Sequence, residues 1–102
     1  MTREQFLQAI KVSYKEATKL IEDKNRDYGA DEDPFRNFRV SELVGVSPAR
    51  AILVRMSDKL ARISNLIDKE ATVKDETISD TLLDLANYAT ILKVFLENKS
   101  KK

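Results

Sequence analysis

The chain predicts an all-α bundle of three long helices and one short one, and three observations carry that prediction. Apolar residues recur at helical spacing over three long stretches, and no alternating run marks a strand. Only two glycines and two prolines occur among 102 residues, too few to punctuate a β-rich fold. Those that occur stand beside start and stop signals for helices.

The first helix opens on Thr2 and Gln5, whose spacing makes a capping box. Phe6, Ile10, Ala17, Leu20 and Ile21 then keep a helical period to about Asp23. The stretch from Lys24 to Asp33 has no apolar period and contains a glycine, so it is expected to be a loop. Asp33-Pro34 reads as a cap with proline at the first helical position. It opens a short helix carrying Phe35, Phe38, Leu43 and Val44, which Gly45 ends. Ser47-Pro48 repeats the start signal for a third helix reaching about Lys69, with Ile52, Met56, Leu60, Ile63 and Ile67 on one face. Asp75 or Thr72 is expected to cap the fourth helix, which continues to about Glu97. Residues 1–97 thus form one helical domain, and 98–102 a basic, solvated tail.

Composition removes several functions. Lysine plus arginine number 18 and aspartate plus glutamate 17, leaving a formal net charge of +1. That balance argues against non-specific nucleic-acid binding, and no sequence-specific DNA binding is expected. Cysteine and histidine are both absent, which leaves oxygen ligands and hence magnesium, manganese or calcium as the metals to expect. No apolar run approaches the roughly 20 residues of a membrane span. The expected location is the cytoplasm.

The fourth helix carries the most distinctive pattern. Glu76, Asp80 and Asp84 stand four residues apart with no cation between them, and Asn87 continues the row. On a helix such acids share a face and repel by a few tenths of a kcal/mol per pair. A bound divalent cation would offset that repulsion; a plain solvated face is the other reading. Ile78, Leu82, Leu85, Ala89, Leu92 and Leu96 form the expected core stripe opposite the acids. Leu83, Ile91, Val94 and Phe95 lie on the acid side, so the helix is apolar nearly all round in its second half. Such a helix needs cover on both sides, which predicts a homo-oligomer, specifically a dimer.

The third helix supplies the complement. Arg55, Asp58, Arg62 and Asn65 share a face, with Lys59 beside them. Asp58 and Arg62 have the spacing of an ordinary ion pair. The functional alternative makes Asp58 a further metal ligand and leaves Arg55, Lys59 and Arg62 for phosphates. In the loop, Lys24, Arg26, Arg36 and Arg39 surround Tyr28 and Gly29, offering phosphate neutralisation beside an aromatic ring.

The blocks KNRDYG, DPFRNF, VRMSDKLARISNL and VKDETISDTLLDLANYA, in that order, resemble the phage and prophage family called nucleotide modification associated domain, type one. The likeness runs from about Leu20 to Leu92 and implies a role in nucleotide metabolism. More distantly the layout is similar to MazG-like all-α NTP pyrophosphohydrolases, dimeric bundles that hold magnesium between an ExxE and an ExxD motif. This chain departs from both motifs. Asp58 is preceded by Arg55 where ExxE would fall, and Asp80 by Thr77 where ExxD would fall.

Two functions are therefore expected. In the first, Glu76, Asp80, Asp84 and Asp58 hold magnesium on a nucleoside triphosphate, and Asp84 or Asp58 orients the attacking water. Lys24, Arg26, Arg55, Lys59 and Arg62 then neutralise the phosphates, while Tyr28 and Asn87 hold the base or sugar. In the second, the protein sequesters a nucleotide without hydrolysing it, using the arginines and the tyrosine but no metal.

Overall fold

The computed structural model describes residues 1–28, 33–69 and 77–100, with the side chains of 25–28 and 99–100 left aside. Four helices make up these segments, joined through one 3₁₀ turn: α1 (Arg3–Tyr28), α2 (Arg36–Arg39), the 3₁₀ turn Val40–Val44, α3 (Pro48–Leu66) and α4 (Ile78–Ser100). No strand occurs among the described residues, so the all-α prediction holds.

Local chemistry sets most of the boundaries. The Thr2 hydroxyl oxygen accepts from the Gln5 backbone N–H at 3.1 Å, and Gln5 Oε1 accepts from the Thr2 N–H at 2.9 Å, closing the expected capping box. Ser47 caps α3 by accepting from the Arg50 N–H at 3.2 Å, with Pro48 in the first turn. Gly45 takes φ +75°, a left-handed conformation that a side chain disfavours, and terminates the 3₁₀ turn.

Several boundaries differ from the sequence reading. The first helix does not stop near Asp23 but runs to Tyr28, because extending a formed helix costs little once it is nucleated. Lys24 therefore sits on a helix rather than in a loop. Asp33 accepts from the Phe35 N–H at 3.1 Å, but it is not the N-cap of α2, which is Phe35 without a side-chain cap bond. Asp33 opens a bend before the single turn of α2 rather than a helix beginning at Pro34. Leu43 and Val44 stand exposed in the 3₁₀ turn and contribute nothing to the core. At the far end α4 continues to Ser100, beyond the expected stop at Glu97.

The start of α4 matters most. Thr77 precedes its first residue and accepts from the Asp80 N–H at 3.0 Å. The cap is thus Thr77, and Thr72, Asp75 and Glu76 lie outside the described residues. Asp80 consequently occupies the first turn of α4, where an acid is favoured by the helix dipole. It is not the mid-helix acid that the spacing suggested, and its presence there needs no metal.

Packing centres on α4, which α3 flanks along much of its length and α1 crosses with its C-terminal half. Ala17, Ile52 and Phe95 form the buried hydrophobic core among the described residues. Thr81 and Asn87 are buried with them. Leu82, Ala89 and Leu96, expected in the core stripe, are exposed, whereas Phe95 from the acid side is buried. The face of α4 turned inward is therefore the one bearing Asp84, Tyr88 and Phe95. On α3, similarly, Ile52 is buried while Leu60 and Ile67 are exposed. Phe95 packs edge-on against Phe35 at 5.1 Å, and Arg39 lies over its ring at 5.6 Å while pairing with Asp33 at 2.7 Å. Arg39 thereby clasps the α2 segment to α4, a structural role.

The Thr77 cap yields a direct test. Thr77→Ala should lower the unfolding free energy by about 1 kcal/mol in urea titrations.

A basic cavity at the helix crossing

Where α1 crosses α4, the sequence places Lys24 one helical turn beyond Ile21, and both side chains point toward α4. From α4 the residues Asp84, Asn87, Tyr88 and Ile91 face back, because they share the inward side of that helix. Pro34, Asn37 and Phe38 close one flank and Arg55 of α3 the other, leaving a cavity of about 320 Å³. That lies at the small end of ligand-sized pockets.

One carboxylate organises the electrostatics. Asp84 accepts Lys24 Nζ at 3.3 Å on Oδ1 and Lys59 Nζ at 3.0 Å on Oδ2. One lysine comes from α1 and the other from α3, so the acid ties three helices together. Burial on its own would push the Asp84 carboxyl up. The hydrogen bond from Lys59, the charges of Lys24 and Lys59 and the hydrogen bond from Lys24 outweigh that and hold it below its ordinary value.

A second groove of about 360 Å³ adjoins the first, lined by Arg55, Asp58, Lys59, Arg62 and Tyr88. Arg55 and Tyr88 line both. Across the two, Lys24, Arg55, Lys59 and Arg62 face Asp58 and Asp84: four cations against two acids. The site is thus locally basic in a chain of nearly balanced charge. Its wall is apolar where Phe38 meets Tyr88 edge-on at 6.3 Å, beside Ile21 and Ile91. A charged rim next to an aromatic wall accommodates a flat, anionic molecule.

The expected residues distribute unevenly. Lys24, Arg55, Lys59, Arg62, Asp58, Asp84 and Asn87 converge on these two hollows. Asn87 also has a structural task, since its Nδ2 donates to the Ala17 carbonyl at 3.2 Å and fastens α1 to α4. Asp80 is exposed in the first turn of α4 and lines neither hollow. Arg36 is exposed as well. Gly29 and Glu76, and the side chains of Arg26 and Tyr28, lie outside what the structure describes. Sequence reasoning missed Asn37 and Phe38 as site residues, although the aromatic pair within DPFRNF was there to be noticed.

Glu76, one of the expected magnesium ligands, lies outside the described residues. No group of three acids that could hold a metal occurs among the described residues. Two ammonium groups within 3.3 Å of Asp84 occupy its oxygens and repel a divalent cation.

Because the Asp84 carboxyl is held low, its contribution to stability is present above the ordinary carboxylate range. It is lost as pH falls through the lowered folded value. Asp84→Asn should therefore cost about 1–2 kcal/mol near pH 7. The difference from wild type should shrink as pH drops below about 4, read in urea titrations from neutral pH down through the acid range.

Against known proteins, no curated sequence and no solved structure matches this chain. The family model of nucleotide modification associated domain 1 does match, over residues 24–96, a span that contains every cation and acid of the two hollows. The chain belongs to the nucleotide modification associated domain 1 family.

Proposed function

We propose that this protein binds a nucleotide across the two adjoining hollows, and does so as a homodimer. The base and sugar sit against Phe38 and Tyr88, and the phosphates run along α3 past Arg55, Lys59 and Arg62. The observation that carries the reading is the pairing of Asp84 with two lysines. Lys59 is only 19% exposed, and a half-buried ammonium without a counter-charge is costly. Asp84 supplies that counter-charge in the free protein, and a phosphate replaces or shares it in the complex. Metal is not required. The family's association with nucleotide modification agrees in substrate class.

Magnesium-dependent hydrolysis of a nucleoside triphosphate is the second reading. One observation favours it: Asp58 lies in the groove next to Asp84, so two carboxylates flank the path assigned to the phosphates. It also needs Glu76 or another acid from outside the described residues, and release of Asp84 from its lysines. It therefore ranks below simple binding.

Calorimetry with nucleoside mono-, di- and triphosphates in EDTA separates the two. Binding should persist in the chelator and weaken about tenfold or more in Arg55→Ala and in Lys59→Ala. Tyr88→Leu should weaken it by about 1–3 kcal/mol through lost stacking. Affinity unchanged in all three variants would remove the site. Magnesium-dependent pyrophosphate release that vanishes in Asp58→Asn would install the second reading instead.

A further inference from the structure

The N-terminal half of α1 has no packing partner among the described residues. Every residue from Arg3 to Glu16 is exposed, yet Leu7, Ile10 and Tyr14 continue the line of Ala17 and Ile21, alternating by three and four residues. Ala17 and Ile21 pack toward α4; Phe6, Leu7, Ile10 and Tyr14 remain 52, 43, 40 and 66% exposed. A stripe at this spacing is built to lie against another helix.

The whole molecule shows the same deficit. A folded monomer of this mass is expected to expose about 5,900 Å², whereas this 11.7 kDa chain exposes 8232 Å². Its radius of gyration is 15.7 Å, against about 13 Å for a compact chain of this length. The excess surface is about 2,300 Å² per chain, and obligate homodimers bury about 2,000–5,000 Å² in total for the pair. The fully buried hydrophobic residues among those described are Ala17, Ile52 and Phe95, a small core for a chain of this size. A second copy of the chain carries the same uncovered stripe and is present wherever the chain is.

We infer that a second copy of this chain covers the Phe6, Leu7, Ile10 and Tyr14 stripe of α1, and that folding and dimerisation are a single process. The inference rests on the homodimer part of the proposed function, which it deepens, and is independent of the nucleotide part. It also bears on the site. Lys24 and Ile21 reach the cavity from the other half of the same helix, so the contact that fixes α1 fixes their position too. The stripe lies before Lys24, outside the span matched by the family.

The test needs no ligand. Sedimentation of the wild-type chain should give twice the 11.7 kDa of one subunit. Its urea midpoint should rise with protein concentration over roughly a hundredfold range, as coupled folding and association requires. The double variant Leu7→Asp, Ile10→Asp should dissociate or unfold at concentrations where wild type is dimeric. Lys15→Glu, on the opposite side of α1, should leave mass and midpoint unchanged. A single-chain mass with a concentration-independent midpoint overturns the inference and leaves the stripe to a different protein. A dimer whose mass and midpoint ignore the double variant overturns this surface.

Discussion

One half-buried carboxylate holds the three long helices in register. Asp84 of α4 receives an ammonium group from α1 on one oxygen and another from α3 on the second. Apolar packing alone specifies the arrangement poorly, because α4 carries apolar residues over most of its circumference. An ion triad is directional. It admits only the rotation of α4 that turns Asp84 inward, and that rotation brings Tyr88 and Phe95 with it. The cost is desolvation of three charges, partly avoided because Lys24 remains more than half exposed.

The same triad concentrates charge at this point. Two lysines drawn to one acid leave an excess of positive charge once Arg55 and Arg62 are counted, and that excess is focused in a concave region. For the phosphate of the proposed ligand the cations are already oriented, so little side-chain entropy would be lost on binding. In that proposal the acid would also discriminate by ligand charge. A neutral molecule gains nothing by disturbing the triad, while a multiply charged one offers the lysines a stronger partner.

How much of this was legible in the sequence depends on the kind of signal. Caps and stops were readable because they act through one or two residues: Thr2 with Gln5, Ser47 with Pro48, and Gly45 all behave as their side chains dictate. The cationic face of α3 was readable for the same reason, as helical spacing fixes which residues share a side. Which side of α4 faces inward was not. Periodicity gave two apolar faces, and the choice was made by Asp84, Thr81 and Asn87. These are polar residues, and the partners of Asp84 and Asn87 lie far away in the chain. Asp80 misled for a local reason. Its spacing from Asp84 is that of a ladder, but Thr77 begins the helix and turns Asp80 into a first-turn acid with its own electrostatic justification.

The two halves of α1 make the final connection. Its C-terminal half carries the charge that completes the triad, and its N-terminal half carries apolar surface that no described residue covers. A helix of 26 residues spans about 39 Å, close to the longest dimension of the molecule, 44 Å. It therefore acts as a rigid bar anchored at one end by Asn87 and Asp84. An anchor at one end of a bar resists tilting of the free end weakly. In the proposed dimer, a second copy seated on the free end would supply the other anchor. The contact proposed for assembly and the ion pair of Lys24 with Asp84 would then hold the two ends of one helix.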